Sequence, residues 1–304
     1  MKNRALFWAL CVFICLSLIL SGCDFLEAFG GLEPSQTFAL GEGELALHFI
    51  DVGQGDCILL QFPSGKYMLV DAGEENKGPT VQKYLTDNQI ETLEAVVVTH
   101  PHTDHFGGMI EVIENKQFTI NNLYMPMVPE DLTPTNRTYE KFLDAIIHAG
   151  LKAKAPKRDA VIYTEDNLSV TVLSDYTQEY GNLNNYSIVL KVVYQNTSFL
   201  LTGDAEKKVE QDLIAWHKNA LEVDVLKVGH HGSSTSSHGD FVDMVNPSMG
   251  VIQLGKDNSY GFPHRETVQT FSQRQISLVR NDINGTIVFY SDGQEITYTI
   301  ENET

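Results

Sequence analysis

The sequence predicts an α/β fold in which two sheets pack face to face and carry helices on their outer faces. Short β-rich segments follow residue 43, alternating strand and helix segments come next, and the same order then repeats. Hydrophobic residues make up 42% of the 304 residues, which is enough for a sizeable core. Because no linker interrupts residues 44–304, we expect one domain there.

Turn signals divide the first half of this domain into short segments. Gly-Gln-Gly at 53–55 and Pro-Ser-Gly at 63–65 separate three β-rich runs, which predicts an opening meander. The short apolar run at 95–99 is typical of a buried strand and ends just before His100. The predicted strands are 44–51, 56–62, 66–71 and 95–99, and the predicted helices are 79–88, a segment from near Gly107, and 136–151.

The second half repeats this order of strands and helices. The predicted strands are 168–173, 187–194, 198–202, 223–228 and 250–254, and the predicted helices are 205–218, 240–245 and 265–274. Residues 286–290 and 295–300 predict a terminal hairpin. This repetition is the reason to expect two sheets rather than one.

The chain is strongly acidic, with 40 Asp and Glu against 21 Lys and Arg and a formal net charge of −19. This charge argues against a protein that coats nucleic acid or an anionic membrane, because like charges repel. It does not exclude a phosphate-containing substrate, since bound metal ions reverse the local charge.

The first 22 residues have the pattern of a secretion signal. Lys2 and Arg4 precede an apolar run at 5–20, which is short for a membrane-spanning helix and typical of a signal-peptide core. The run ends in Leu-Ser-Gly-Cys at 20–23, which resembles the bacterial lipobox. In proteins with that motif, cleavage occurs before the cysteine and lipid is attached to it.

We therefore expect a lipoprotein signal peptide at 1–22, lipid on Cys23 and a tether at 23–43, with an uncleaved anchor helix as the alternative. Either arrangement makes the protein extracytoplasmic and holds it at the bacterial cell membrane. Cleavage and lipidation leave Cys57 as the remaining free thiol, so no intramolecular disulfide is expected.

A group of metal-ligand residues follows the predicted strand at 95–99. Residues 99–108 read THPHTDHFGG, with three His and one Asp within six positions. Imidazole and carboxylate groups are zinc ligands, and one turn can direct alternate side chains to two neighbouring ions. The segment therefore predicts a two-metal site at the end of a strand.

Residues 99–108 resemble the metal-binding motif of the metallo-β-lactamase fold, an αββα sandwich with a two-metal site at the strand ends. Three further segments support the resemblance. LVDAG at 69–73 is similar to the family's early Asp turn, LLTGD at 200–204 to the strand end with the bridging Asp, and VGHHGS at 228–233 to the segment with the last metal-binding His.

Three further segments resemble one subgroup of this fold family. FIDVGQGD at 49–56, HHGS at 230–233 and YGFPH at 260–264 are similar to the extracellular hydrolase domain of the bacterial competence DNA-uptake channel family and its free-standing relatives. No apolar run after residue 22 approaches spanning length. We therefore expect the hydrolase role of that family and not its channel role.

The sequence departs from the superfamily at one point. Members with a full two-zinc site have another His before the bridging Asp, whereas here the one His between Phe106 and Gly203 is His148, in a predicted amphipathic helix. Residues 182–187, NLNNYS, take that place, and amides and hydroxyls are poor zinc ligands. We therefore expect this segment to orient substrate phosphate or water, and one metal to be weakly held or to be manganese.

The resemblance implies a role for each candidate residue. The expected ligands are His100 and His102 for the first metal, Asp104 and His105 for the second, Asp204 as the bridge, and His231, or alternatively His230, as the last ligand. The expected catalytic residues are Asp104, which would hold the attacking hydroxide, Asn185, which would orient substrate, and His264. For His264 a phosphate-binding or leaving-group-acid role competes with a simple position at the start of a helix.

The leading functional prediction is a metal-dependent phosphodiesterase or nuclease. Its two divalent ions, zinc or manganese, would lower the pKa of a shared water, and the resulting hydroxide would attack the phosphodiester. The competence resemblance implies DNA as substrate, although the acidic charge and the lack of a basic, aromatic-rich stripe argue against it. The alternatives are an esterase for phosphorylcholine on cell-wall polymers or lipids, a lactonase, and a metal-free binding module. The expected partner is the membrane, through Cys23, and the sequence indicates no protein partner.

Overall fold

A computed structural model describes residue 41 and residues 43–302. The predicted signal peptide, Cys23 and nearly all of the predicted tether lie outside these residues and stay predictions. The described residues belong to one compact unit. None of their helices is long and apolar enough to cross a membrane.

The described residues form two large sheets and one small one. The strands are β1 (Leu45–Phe49), β2 (Ile58–Gln61), β3 (Tyr67–Val70), β4 (Thr92–Leu93), β5 (Ala95–Val97), β6 (Thr119–Ile120), β7 (Leu123–Tyr124), β8 (Ala153–Lys154), β9 (Val161–Glu165), β10 (Leu168–Val172), β11 (Leu190–Tyr194), β12 (Thr197–Leu201), β13 (Val225–Lys227), β14 (Met249–Ile252), β15 (Ser277–Arg280), β16 (Ile287–Ser291) and β17 (Ile296–Ile300). The first sheet has the order β17-β16-β1-β2-β3-β5-β7-β8, and the second has the order β15-β14-β13-β12-β11-β10-β9. The strands β4 and β6 pair separately.

The α-helices lie between these strands in the chain. They are α1 (Gly78–Asp87), α2 (Thr103–Phe106), α3 (Met109–Glu114), α4 (Arg137–His148), α5 (Lys207–His217), α6 (Gly239–Val245), α7 (Arg265–Ser272) and α8 (Asn281–Asn284). Asn136 begins α4, because its side chain accepts a hydrogen bond from Tyr139 N at 2.9 Å. Phe142 and Ile146, one turn apart, then lie on the buried face of this helix.

The main core lies between the two large sheets. The ring of Phe289 on β16 contacts Phe49 on β1 and, across the sheets, Phe199 on β12, with ring centroids 5.8 and 6.3 Å apart. All three rings are buried, and burial of each contributes about 1.5–3 kcal/mol.

Helices cover the outer faces of both sheets. A second core lies between the first sheet and the helices α1, α3 and α4. The helices α5, α6 and α7 contribute buried residues to the core that contains the second sheet. These contacts confirm the predicted α/β arrangement of two packed sheets with helices outside.

The structure shortens several predicted strands, including the one at 187–194, and adds others. The strand predicted at 187–194 begins at Leu190, because Ile188 donates its N–H to Thr99 O at 2.8 Å, outside the pairing of the second sheet. The strands β9 and β15, which the sequence patterns do not predict, form the two edges of that sheet.

Parallel strands of both sheets end in the loops that carry the predicted metal ligands. In the first sheet β3 runs parallel to β5, and in the second sheet β12, β13 and β14 run parallel. Loops at the carboxyl ends of parallel strands meet at one edge of a sheet. Asp71 follows β3, residues 99–105 follow β5, Asp204 follows β12 and His230 follows β13.

Candidate metal centre

Two groups of ligand-type side chains meet at these loops, with Asp204 between them. The first group is His100 and His102, and the second group is Asp104, His105 and His231. Oδ2 of Asp204 lies 3.8 Å from Nε2 of His100. The same oxygen lies 3.3 Å from Nε2 of His105 and 3.4 Å from Nε2 of His231. The fold thus brings together residues that are distant in the sequence.

Within each group the ligand atoms converge. Nε2 of His100 and Nδ1 of His102 are 2.9 Å apart. Nε2 of His231 lies 3.2 Å from Oδ2 of Asp104. The ligand atoms of Asp104, His105 and His231 all fall within 4.8 Å of one another.

This set of donor atoms fits divalent ions such as zinc or manganese. Nε2 of His105 and Nε2 of His231 are buried, and neither makes a hydrogen bond to another described residue, although each lies within 3.4 Å of Asp204. A buried polar atom in this position is costly unless a cation or a proton satisfies it. The residues present therefore fit one ion at each group, with Asp204 shared.

Asp71 holds His105 in the orientation that the second group requires. Its Oδ2 lies 2.8 Å from Nδ1 of His105, so the ring's other nitrogen faces Asp204. Asp71 also accepts hydrogen bonds from Thr99, at 2.8 Å from the backbone N–H and 2.6 Å from the hydroxyl. A carboxylate that accepts from the second imidazole nitrogen is typical of metal-binding His residues.

His231 is held by its backbone and by its second ring nitrogen. Nδ1 lies 2.9 Å from Gln253 O, which leaves Nε2 to face Asp104 and Asp204. His231 and the preceding His230 both have positive φ, at 53° and 50°. Non-glycine residues adopt this conformation at a cost, and such strain concentrates at functional sites.

A buried lysine that the sequence patterns do not indicate lies beneath the centre. Lys227 is fully buried, and its Nζ lies 2.5 Å from Asp56 Oδ2 and 2.8 Å from Gly203 O. Nζ also lies 3.8 Å from Oδ1 of Asp204. Although burial alone would raise the pKa of Asp56, Lys227 beside it contributes to a pKa below the usual range. The one available signal was a charged residue inside the otherwise apolar strand β13.

The turn at 53–55 packs directly against the second group. Asp56 donates its N–H to Asp104 O at 3.2 Å. Gly55 has a φ of 125°, and a Cβ at this position would lie 2.2 Å from Asp104 O. Only glycine therefore allows this close approach.

The histidine pKa values are raised in the second group and lowered in the first. Burial alone would lower the pKa of His105 and of His231, but Asp204 and the other carboxylates around them raise both well above the usual value. Burial lowers the pKa of His100 and, less strongly, that of His102. The carboxylates therefore surround the second group more closely than the first.

His230 lies on the side of the first group. Its Nε2 is 3.8 Å from Oδ2 of Asp204 and 3.5 Å from Nδ2 of Asn184. Asn184 also lies beside His102, so the two imidazoles share a neighbour. The two adjacent His residues thus face different groups, His231 the second and His230 the first.

The two groups open into a cavity of about 340 Å³. Its lining residues lie outside the strands, in segments that follow strands of both sheets, and are Gln54, Glu74, His102, Thr103, Asp104, Asp204, His230, His231, Tyr260 and Phe262. A volume of this size is at the lower end of the range for small-molecule sites.

The sequence model of the metallo-beta-lactamase superfamily matches residues 50–256, which span this centre. The chain belongs to the metallo-beta-lactamase superfamily. It therefore has the fold of a metal-dependent hydrolase, as predicted from residues 99–108 and 200–204.

Curated relatives of this superfamily member include competence proteins, as the sequence analysis predicted. The chain is 31% identical to ComE operon protein 3 of Bacillus subtilis over 85% of its own length and 34% of the relative. It is 29% identical to Recombination protein 2 of Haemophilus influenzae over 81% of the chain and 29% of the relative. It is 27% identical to Competence protein ComA of Neisseria gonorrhoeae over 87% and 34%. The chain thus spans about a third of the length of these relatives.

Solved structures share the fold of the chain. The metallo-beta-lactamase fold protein YhfI of Bacillus subtilis aligns with a TM-score of 0.54 at 15% identity, over 82% of this chain and all of that one. CmlA, a diiron beta-hydroxylase of Streptomyces venezuelae, aligns with a TM-score of 0.52 at 12% identity, over 79% of this chain and 53% of that one. At this identity the likeness shows the fold alone.

The segment at 182–187 lies beside the metallo-beta-lactamase centre, and the substrate-orienting role of Asn185 stays a prediction. Asn185 is buried, its Oδ1 accepts a hydrogen bond from Glu206 N at 3.0 Å, and it is not among the residues that line the cavity. Its neighbours contact the ligands instead. Asn184 lies beside His102 and His230, and Ser187 Oγ accepts from Asp204 N at 3.0 Å.

His264 lies next to the cavity and does not line it. Its Nδ1 accepts a hydrogen bond from Ser234 N at 3.0 Å, and its Nε2 lies 3.4 Å from Tyr260 O. His264 also immediately precedes α7, which matches the helix-start alternative. In this geometry the imidazole joins the loop after β13 to the loop that carries Tyr260.

Proposed function

We propose that this chain is an extracytoplasmic metal-dependent phosphodiesterase that acts on nucleic acid. The observation that carries the proposal is the position of Asp204, whose Oδ2 lies within 3.8 Å of imidazole nitrogens from both groups. A carboxylate shared between two such groups is typical of two-metal sites in phosphatases and nucleases.

The chain's own residues supply binding and orientation at this centre. Two divalent ions, when bound, lower the pKa of water and stabilise negative charge on the group that is attacked. His100 and His102 would hold the first ion, Asp104, His105 and His231 the second, and Asp204 both. Asp71, Gln253 O and the Lys227–Asp56 pair keep those side chains in place.

Asp104 is the residue we propose to accept a hydrogen bond from the attacking water. Its side chain is 25% exposed and lines the cavity, so it reaches both the ligands and the substrate. Although burial alone would raise it, His105 and His231 hold the pKa of Asp104 well below its usual range. The carboxylate is therefore ionised and accepts a hydrogen bond.

The names of the relatives support nucleic acid as the phosphodiester substrate. One relative is named a recombination protein and another a competence protein. The net charge of −19 opposes a long polyanion, but a metal centre reverses the charge at the cavity itself. A site of about 340 Å³ suits one or two nucleotides rather than a duplex.

A substrate panel tests this function. The metal-loaded full-length chain is incubated with single-stranded DNA, bis-nitrophenyl phosphate, phosphorylcholine esters and lactones. We expect hydrolysis of the first two and its loss in His105→Ala, with exposed His148→Ala of α4 as the matched control. Hydrolysis confined to phosphorylcholine esters or to lactones would refute the proposal in favour of those activities.

We also propose that lipid on Cys23 anchors the protein outside the cytoplasm. The Leu-Ser-Gly-Cys pattern at 20–23 supports this location. Cys23→Ala is expected to accumulate as an unprocessed precursor or to leave the membrane fraction, as measured by fractionation and mass spectrometry. A Cys23→Ala protein that is still processed and membrane-bound would contradict lipidation.

A further inference from the structure

We propose that Tyr260 is a stacking platform for one unpaired nucleobase of the substrate, an inference that rests on the proposed function. Tyr260 is 61% exposed. Its ring stacks on Phe262, with centroids 5.3 Å apart and planes inclined by 12°. Phe262 covers one face of the tyrosine ring, and the exposure leaves the other face to solvent.

The aromatic pair stands beside the metal centre. Tyr260 and Phe262 both line the cavity that contains the two ligand groups. The ring of Phe262 lies 5.7 Å from that of His230 and 6.2 Å from that of His231. A base stacked on Tyr260 is therefore adjacent to the position where its phosphodiester meets the ligands.

Asn258 fixes the loop that carries the aromatic pair. Its Nδ2 donates to Gly255 O at 3.0 Å and to Phe262 O at 2.9 Å. Its Oδ1 accepts from Phe262 N, also at 2.9 Å. The platform is thus ordered before a substrate arrives, which reduces the entropy cost of binding.

Gln54 lines the same cavity and has an amide nitrogen without a partner among the described residues. Its Oε1 accepts from Gly255 N at 3.3 Å, which assigns Nε2 as the free end of the amide. Nε2 is buried and makes no hydrogen bond to any described residue. A stacking face and an unused amide donor are the chemistry that recognises a base or its phosphate.

This arrangement implies a preference for single strands. In a duplex both faces of a base are stacked on its neighbours, so a base must leave the stack to reach Tyr260. Stacking on an aromatic ring tolerates any base, because every base has a π-face. We therefore expect single-stranded DNA to bind more tightly than the duplex, with little sequence preference.

The test compares Tyr260→Ala with Tyr260→Phe in the metal-loaded full-length chain. The ligands are a short single-stranded oligodeoxynucleotide with phosphorothioate linkages and the same backbone without bases, and Kd is measured by fluorescence anisotropy. Tyr260→Ala is expected to raise the Kd of the base-containing ligand about 5- to 150-fold, whereas Tyr260→Phe leaves it within about twofold. The base-free ligand is expected to bind weakly and equally to all three proteins.

Tyr298→Ala is the matched control. Tyr298 is 43% exposed and stacks on Phe289 with centroids 5.4 Å apart, but it does not line the metal cavity. The platform is refuted if Tyr260→Ala weakens both ligands equally, or no more than Tyr298→Ala does. Base-dependent binding without any phosphodiester hydrolysis would instead refute the proposed function and leave the platform standing.

Discussion

The two ligand groups of the centre differ in the burial of their imidazoles. Each imidazole of the second group is buried and has its other nitrogen beside an acceptor, Asp71 for His105 and Gln253 O for His231. In the first group, His100 is also buried, with Nδ1 at 3.2 Å from Thr99 Oγ1, but His102 is half-buried and lines the cavity. Buried, oriented ligands bind metal tightly because little rearrangement is left to occur. If both groups hold ions as proposed, we therefore expect the second ion to be held more tightly than the first.

The largest expected effect separates the two adjacent His residues. His231→Ala removes a buried ligand of the second group, so we expect the second metal to bind more than about 100-fold more weakly and activity to fall with it. His230→Ala is expected to weaken only the first metal, by about tenfold, because His230 lies beside Asn184 and the first group. Metal content by elemental analysis and titration measures both.

The two variants control for each other, since they differ by one position in the chain. Loss of the second metal in His230→Ala, with the second metal retained in His231→Ala, would reverse the assignment. Equal loss in both would contradict the division into two groups.

The next effect in size concerns pH in the metal-free protein. Because the pKa values of His105 and His231 are raised, their ion pairs stabilise the fold below the ordinary His pKa of 6.5 and are lost as pH rises through the raised values. The lowered pKa of Asp204 has the opposite pH dependence. Its stabilising contribution is present above the ordinary Asp pKa of 3.8 and is lost as pH falls through the lowered value. Both contributions are therefore present together between about pH 4 and 6.5.

Bound metal is expected to stabilise the fold above pH 6.5, where the ion pairs of the metal-free protein are lost. Bound metal requires neutral imidazoles, so binding to the second group releases protons and tightens as pH rises above 6.5. The gain in Tm from added metal is expected to increase between pH 6 and 8, as measured by thermal unfolding with and without chelator. A gain that is constant with pH would contradict protonated imidazoles in the second group.

The sequence predicted the parts of this molecule that depend on local spacing. The turn at 99–108 carries four ligand-type residues in a short pattern, and the apolar patterns give β10 and β12 to within one residue at each end. Lys227 and Asp56 could not be paired in this way, because they come from different sheets and meet only through tertiary packing. Spacing alone also could not separate His230 from His231, because positive φ angles at both residues direct their rings.

The smallest expected effect concerns the segment that replaces the missing His. Asn184 lies beside both His102 and His230, so Asn184→Ala is expected to weaken the first metal by about tenfold and to leave the second unchanged. Asn185 is buried and accepts from Glu206 N, so Asn185→Ala is expected to cost about 1–3 kcal/mol of stability. Its metal content and kcat should stay near wild type, as measured by elemental analysis and steady-state kinetics. A fall in kcat of about 100-fold in Asn185→Ala with both metals retained would instead assign this residue the substrate-orienting role that the sequence predicted.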